Sequence, residues 1–162
     1  MNAFVQVDGI PGESQDSDHK DWIQPSSFSF SVSQQKGGPR SDAGTTAKGN
    51  AQFSDFVIVK RIDKASVKLL LECAKGSNIK NVTLQVHRAA GNKELYYQVE
   101  MQDVLITSVS PAGNEGADDL PMEAVGMNFG KVKVKYVHYD GPTKKGEFKS
   151  GWDAVQDKEI AG

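Results

Sequence analysis

Alternation of apolar and polar residues runs through most of the chain, and it constrains the fold more than any other feature. In the stretch SSFSFSVSQ, Phe28, Phe30 and Val32 would share one face of an extended strand, with polar residues on the other. Similar runs are AFVQV, AQFSDFVIVKRI, KNVTLQVHR, ELYYQVEMQDVLITSV and GKVKVKYVHY, separated by Gly, Asn, Asp and Pro clusters. This period predicts an all-β fold of about seven or eight strands, each with one buried face.

One of these runs changes phase. In ELYYQVEMQDVLITSV, Tyr97, Val99 and Met101 share one face, whereas Val104 and Ile106 are apolar on the other face. A β-bulge, or a strand that is covered on both sides, would produce this pattern, and either one suits a curved barrel.

A single segment, DKASVKLLLECAKG, has the spacing of an amphipathic helix instead. Asp63 is placed to cap its N-terminus, and Gly76 can adopt the left-handed conformation that ends a helix. Its apolar residues recur at helical spacing: Val67, Leu70, Leu71 and Ala74. A lone helix with such a stripe has to bury it, so we expect this face to cover an open side of the sheet structure.

Length and charge narrow the class of protein. The 162 residues, 38% of them hydrophobic, suffice for one buried core, and no shift in composition divides them, which predicts a single domain over residues 1–162. The net charge of −2, without an RNP, zinc-knuckle or Walker-type signature, argues against nucleic acid as a partner. The absence of a signal sequence or long apolar run, together with the single cysteine, Cys73, predicts folding in the cytoplasm without membrane insertion.

The stretch DGIPGESQDSDHKDWI, residues 8–23, places five acidic residues around His19 and Ser14 and therefore invites comparison with known sites. An EF-hand loop that starts at Asp16 would need an acid or amide, a glycine and a glutamate at its fifth, sixth and twelfth positions. Those positions hold Lys20, Asp21 and Ser27. A nucleophile elbow around Ser14 would need a glycine where Asp16 stands. Neither a calcium loop nor a hydrolase elbow fits.

A zinc site is also disfavoured, because His19, His87 and His138 are scattered along the chain and lone histidines of this kind are more often surface or strand residues than ligands. The remaining interpretation is structural. DGIPGES turns the chain after the first strand, and the charged run leads into a strand that contains Trp22 and Ile23. We therefore predict no catalytic residue, no metal ligand and no cofactor-binding residue.

The longest irregular segment extends from Gln35 to Asn50 and contains four glycines, one proline and only two alanines for apolar content. It is too polar to pack as core, and connections of this length are usually functional or disordered. Two interpretations remain open: a flexible hairpin loop, or a loop that becomes ordered against a partner.

Several stretches, taken in order, resemble one known family. VDGIPGESQDSDHKDWI followed by FSFSVSQ is similar to the opening of the haemolysin-coregulated protein (Hcp) family, the inner-tube proteins of the type VI secretion system. FSDFVIVKRIDKASVKLLLECAKG resembles the strand that leads into the only helix of that family, and VTLQVHRAAGNKELYYQVEMQDVLITSVSPAG resembles its central strands. VGMNFGKVKVKYV with the later GWD resembles its C-terminal part, so the resemblance covers almost the whole chain.

The resemblance implies two packed antiparallel β-sheets that form a β-barrel with one α-helix. It further implies that six subunits close into a ring and that rings stack into a hollow tube, with a spike protein at the tip, a contractile sheath around it and effector proteins in the lumen. The tube would assemble in the bacterial cytoplasm and be secreted to the extracellular space or a target cell without a signal peptide. No catalysis and no cofactor are implied.

Within that assembly, we expect the long loop to reach across the junction between stacked rings. Its glycines permit unusual backbone conformations, and its charged residues offer polar contacts at a wet interface. The residues proposed for these contacts are Lys36, Gly37, Gly38, Arg40, Asp42 and Lys48.

Charge is distributed unevenly along the chain. Acidic residues dominate 8–21, and lysines concentrate near the C-terminus: Lys131, Lys133, Lys135, Lys144, Lys145 and Lys149. Complementary charge on two surfaces favours the closure of a ring, but a solvated sheet face would show the same lysines.

The competing function is a monomeric β-sandwich or barrel that binds a small molecule or carbohydrate. It would need a concave apolar pocket or clustered aromatics with convergent polar groups, whereas the phenylalanines here alternate as core residues do.

Overall fold

The computed structural model describes residues 2–37, 47–89, 93–116 and 120–162. They form ten β-strands and one α-helix, in this order: β1 Asn2–Val7, β2 Ser27–Ser29, β3 Val32–Gly37, β4 Ala47–Phe53, β5 Phe56–Arg61, α1 Lys64–Lys75, β6 Asn78–His87, β7 Leu95–Ala112, β8 Met122–Asp140, β9 Thr143–Asp153 and β10 Lys158–Ile160.

The described strands pair in antiparallel fashion, and eight of them form one sheet. Its order is β1-β6-β7-β8-β5-β2, with β9 paired to β8 and β10 paired to β9. The long strand β8 pairs with β5 along its first half and with β9 along its second half. Strands β3 and β4 form a separate two-stranded sheet. The prediction of a mainly β fold with antiparallel sheets and one helix is confirmed.

The core lies inside the curve of the large sheet. Val5 of β1 and Phe56 of β5 are fully buried in the same cluster, although β6, β7 and β8 lie between their strands in the sheet. The sheet must therefore bend so that its two sides meet around one core. Phe28 and Phe30 pack against this cluster, as the alternation in SSFSFSVSQ predicted.

Two of the predicted strands are each divided into two. SSFSFSVSQ forms β2 and β3, and AQFSDFVIVKRI forms β4 and β5. The breaks face each other: the Ser31 amide donates to Ser54 Oγ (2.7 Å), and the Ser54 amide donates to the Ser31 carbonyl (2.9 Å). The β3–β4 hairpin leaves the main sheet at these serines, which is why Val32 is exposed instead of sharing the buried face of Phe28 and Phe30.

The phase change in β7 is shared by its neighbours: the residues that pair with Met101 and Val104, namely Val82 and Ile79 of β6 and Val132 and Phe129 of β8, are buried as well. Asp103 has a positive φ of 53°, and the flanking residues Met101 and Val104 are both buried. The pairing with β6 and β8 keeps its register across Asp103, and a register shift lies further on, between Ile106 and Ser108.

The predicted helix and both of its caps are confirmed. Asp63 Oδ1 accepts a hydrogen bond from the Ala65 amide (2.9 Å), and Gly76 ends the helix with φ 65°.

The helix buries a different face from the one predicted. Val67, Leu70 and Leu71 are 77%, 55% and 47% exposed, whereas Ala65, Ser66 and Leu69 are buried. The rotation has a physical cause: the Ser66 hydroxyl donates to Glu123 of β8 (2.6 Å), so the side of the helix that carries Ser66 has to face the sheet. The larger apolar stripe is left on the surface of the chain.

Candidate functional site

The acidic stretch folds back along the edge of β1. Val5 and Ile23 exchange two backbone hydrogen bonds of 2.8 and 2.7 Å, and the Gly12 amide donates to the Asp21 carbonyl (2.7 Å). The predicted strand around Trp22 and Ile23 is therefore only an isolated bridge to β1. We call residues Gly12–Ile23 the edge segment, because it covers backbone groups of a strand that ends the sheet.

Gly12 lies where no side chain fits. A Cβ at this position would stand 2.4 Å from the Trp22 carbonyl oxygen and 2.7 Å from the Ile23 nitrogen. We expect Gly12→Ala to lower the free energy of unfolding by about 3 kcal/mol, since rigid backbone atoms would have to move apart. Urea denaturation measures this loss. The control is Gly9→Ala, where φ is +76° but nothing lies within 4 Å of the added Cβ; its cost should be about 1 kcal/mol. Equal losses in both variants would contradict the steric argument.

The edge segment buries its histidine and its serine. His19 is 3% exposed and Ser14 is 1% exposed, so neither is a surface residue. The His19 ring stacks on Phe4 of β1 with a centroid distance of 4.2 Å and an angle of 6° between the planes. Trp22 meets the same ring edge-on. His19 is therefore packed between aromatic rings inside the protein, whereas lone histidines usually lie on the surface.

His19 forms a hydrogen-bonding contact at each ring nitrogen. Its Nδ1 lies 2.7 Å from Asp16 Oδ2, and its Nε2 lies 2.8 Å from Gln85 Oε1. The Nε2 atom of His87 is 3.1 Å from the same His19 nitrogen. The structure thus brings together two of the three histidines that looked scattered in the sequence. The register between β1 and β6 brings them together, because Phe4 pairs with Gln85 and Asn2 with His87.

Asp16 is held ionised by its neighbours. The Lys93 ammonium donates to Asp16 Oδ1, and this bond, followed by the one from His19, keeps the pKa of Asp16 far below its usual range. The same contact raises the pKa of Lys93. Asp16 therefore stabilises the folded chain at every pH above the carboxyl range of the unfolded chain, and this contribution is lost only in strong acid.

The side chains around His19 interact through hydrogen bonds and ion pairs. Ser14 Oγ accepts a hydrogen bond from the Asp16 amide (3.2 Å), as in a turn. Across residues 2–37, 47–89, 93–116 and 120–162, no group of three or more His, Cys, Asp or Glu side chains is arranged to hold a metal ion. An open cavity of about 350 Å³ lies beside Asp16, His87 and Lys93.

A buried lysine escaped the analysis of the sequence. Lys60 of β5 is fully buried, and its Nζ lies 2.7 Å from Asp63 Oδ1, 2.6 Å from Glu123 Oε1 and 3.1 Å from Ser66 Oγ. Alternation in FVIVKRI places Lys60 on the same inward side as Phe56 and Ile58, and this pattern is the signal that could have found it.

The residues proposed for ring stacking are only partly described. Lys36 and Gly37 end β3, where they pair with Lys48 and Ala47 of β4, so the irregular segment is shorter than the predicted Gln35–Asn50. Gly38, Arg40 and Asp42 lie outside the described residues.

Three of the C-terminal lysines lie on one face of a long strand. Lys131, Lys133 and Lys135 alternate on β8, so they share one face, and they pair with Gln102, Glu100 and Gln98 of β7. Lys144 instead donates to Glu147 in the β9 strand (2.6 Å), which lowers the pKa of Glu147.

An apolar groove separates the β3–β4 hairpin from β8 and β9. It has a volume of about 460 Å³ and is lined mainly by Phe30, Val32, Phe53, Val134 and Trp152.

The described helix is neither long nor apolar enough to cross a membrane.

Comparison with known proteins identifies the class. A sequence model of the family described as type VI secretion system effector, Hcp, matches residues 4–136. Protein hcp1 of Pseudomonas aeruginosa is 31% identical over 159 residues, and the match covers 96% of each chain. The chain is thus similar to type VI secretion proteins along nearly its whole length.

Solved structures agree with this class. A type six secretion system protein superposes with a TM-score of 0.89 at 26% identity, over 98% of this chain and 99% of that one. Hcp1 from Salmonella typhimurium superposes with a TM-score of 0.81 at 28% identity, over 98% of each chain. The chain belongs to the Hcp family of the type VI secretion system, as the resemblance predicted.

Proposed function

We propose that the whole chain, residues 1–162, is the structural subunit of a type VI secretion tube. Six copies close into a ring, and rings stack into a hollow tube that is exported. The observation that carries this proposal is the family match over residues 4–136 together with the likeness of the entire fold to Hcp structures.

Exposed apolar residues support an assembling subunit. Val67, Leu70 and Leu71 form a ridge on α1, and the groove beside β8 and β9 is a concave apolar surface elsewhere on the chain. Subunits that join head to tail use two different surfaces, and apolar surface of this kind is what such contacts cover.

The β3–β4 hairpin supports a separate stacking contact. It leaves the main sheet at Ser31 and Ser54, so the loop that joins Gly37 to Ala47 is tethered to a hairpin outside the large sheet. We propose that this segment contacts the next ring through Lys36, Gly37, Gly38, Arg40, Asp42 and Lys48.

The other partners follow from the same proposal. The tube carries a spike protein at its tip, lies inside a contractile sheath and holds effectors in its lumen. It assembles in the bacterial cytoplasm and reaches the extracellular space or a target cell through the type VI apparatus. This role requires neither catalysis nor a cofactor.

Ring formation is the first test. We expect the purified chain to scatter light as a hexamer, well above the 17.6 kDa of one copy, and negative-stain images to show rings and stacks of rings. The physical reason is the exposed apolar surface, which a monomer would leave in water. A monomer at all concentrations would contradict the proposal.

The alternative, a monomeric module that binds a small molecule or carbohydrate, has one observation in its favour: the aromatic groove of about 460 Å³. A monomer that binds a sugar or apolar ligand there, with loss of binding in Phe53→Ala, would support the alternative. A ring in which the groove is inaccessible to such ligands would exclude it.

A further inference from the structure

The hydrogen bond from His19 to Gln85 is the first of a series of side-chain hydrogen bonds that ends on a second carboxylate, Glu100. The Gln85 amide lies 2.9 Å from the Gln98 amide, and Gln98 in turn contacts Glu100 Oε1. His19 therefore lies between Asp16 at one end and, through two amides, Glu100 at the other.

The two carboxylates determine the direction of every hydrogen bond in this chain. An ionised carboxylate only accepts, so Gln98 has to turn its NH₂ group toward Glu100 and its oxygen toward Gln85. Gln85 then turns its NH₂ group toward Gln98 and its oxygen toward His19. Reversing either amide would place two acceptors, or two donors, face to face, so this result does not depend on how each amide is oriented in the structure.

His19 consequently needs a proton on both ring nitrogens. Nε2 has to donate to the Gln85 oxygen, and Nδ1 has to donate to Asp16. His87 leads to the same conclusion: its Nδ1 faces the Lys93 carbonyl oxygen at 2.7 Å and has to donate there, which leaves its Nε2 as an acceptor for His19 when His87 is neutral.

The surroundings of the ring suit a cation. The face of His19 lies on the ring of Phe4, a geometry in which a positive charge is attracted to the aromatic face. The charged and titratable groups that contact His19 are Asp16 of the edge segment and His87 of β6. Lys93, before β7, reaches it through Asp16, and Glu100 of β7 reaches it through the two amides; the Asp18 amide also donates to Asp16.

We propose that His19 is a buried imidazolium that fastens the edge segment to β6 and β7, so that the loss of one proton loosens this segment. A neutral His19 would leave one acceptor facing another, either at Asp16 or at Gln85. The edge segment is therefore a pH-sensitive latch: it is closed while His19 carries both protons and loosens as the pH rises and one proton leaves. Asp16 stays ionised across this range, so the loosening of the edge segment comes from His19 and not from Asp16.

The first measurement is the protonation of His19 itself. We expect nitrogen NMR of the full-length protein with ¹⁵N-labelled histidine to show both His19 nitrogens protonated at about pH 6.5, with the signals assigned by His87→Gln and His138→Gln. A His19 ring with a single proton at that pH would overturn the proposal.

The second measurement is the mobility of the edge segment. Amide hydrogen exchange of Gly12 and Ser14 should accelerate between about pH 6 and pH 8 by more than base catalysis alone explains. In His19→Gln this extra acceleration should vanish, whereas in His138→Gln, which leaves the network intact, it should persist. An unchanged pH dependence in His19→Gln would sink the idea of a latch.

Glu100→Gln separates a titrating cation from a merely structural histidine. A glutamine at position 100 can donate as well as accept, so both amides of the chain can reverse and offer an NH₂ group to a neutral His19. Because His87 Nε2 also accepts from His19 Nε2, the test combines Glu100→Gln with His87→Gln, whose amide can donate as well as accept. We expect the doubly protonated fraction of His19 at about pH 7 to fall in this double variant while the ring stays packed on Phe4. Unchanged protonation in the double variant would refute the argument from hydrogen-bond direction.

Discussion

Replacing Lys60 with methionine is expected to lower the free energy of unfolding by about 3–5 kcal/mol. The ammonium is fully buried between Asp63 and Glu123, and its removal leaves the Glu123 carboxylate buried without a cation. The Ser66 hydroxyl still donates to Glu123, but one neutral hydrogen bond does not compensate a buried charge. Urea denaturation followed by circular dichroism measures the loss.

A double variant tests whether the unpaired charge is the cause. Lys60→Met combined with Glu123→Met removes both charges and replaces them with side chains of similar length, so stability should return to within about 2 kcal/mol of the natural chain. Lys64→Met is the matched control, since Lys64 is half exposed and its 3.5 Å contact with Asp21 is worth less than about 1 kcal/mol. A single variant as stable as this control, or a double variant no better than the single one, would contradict the account.

If Lys60→Met does not fold at all, Glu123→Gln gives a measurable intermediate. It keeps the shape and leaves Lys60 with Asp63, so it should lose less stability than the lysine variant. A variant Glu123→Gln that also fails to fold would show that the stability depends on the Glu123 carboxylate as much as on the buried cation.

Elements whose pattern is local could be predicted from the sequence. The period of two in β6 and the caps of α1 at Asp63 and Gly76 depend on residues close together in the chain. The break between β2 and β3 could not, because it depends on the hydrogen bonds between Ser31 and Ser54, which are far apart in sequence. The orientation of α1 is another long-range property.

The orientation of α1 shows what the local sequence pattern cannot predict. Val67, Leu70 and Leu71 form the more apolar stripe, and hydrophobic burial alone would turn them inward. Glu123, on a strand that lies far along the chain, instead holds Ser66 against the sheet. The stripe then remains for a partner, which is consistent with a subunit that buries apolar surface only on assembly.

The surroundings of His19 could not be predicted for a similar reason. Its acidic neighbours in sequence were compared with local sites and interpreted as part of a turn, whereas its partners Gln85 and His87 come from β6. Register between β1 and β6 brings them together, and a single sequence does not specify that register when several strands alternate equally well.

Shortening the loop between β3 and β4 is expected to abolish tube growth and secretion while leaving rings intact. Residues 38–46 are replaced by an Asn-Gly turn, which joins Gly37 to Ala47 and keeps the pairing of Lys36 with Lys48. The physical reason is that β3 and β4 form a two-stranded sheet of their own, so the proposed contact of their connecting loop with the next ring can be removed without disturbing the large sheet. Light scattering measures the mass of the ring, electron microscopy at high protein concentration shows tubes, and an assay of the culture medium measures secretion.

A second variant separates the length of the loop from its side chains. Arg40→Ala with Asp42→Ala keeps the full loop and removes two of the proposed polar contacts, so it should weaken stacking less than the shortened loop does. In the proposed ring of six copies, every junction would use the same contact six times, so even a small loss at each loop would be multiplied around the ring. Long tubes and normal secretion from the shortened variant would show that stacking depends on the rims of the sheet instead. Rings that fall apart would assign the loop to the contact between neighbouring subunits of one ring.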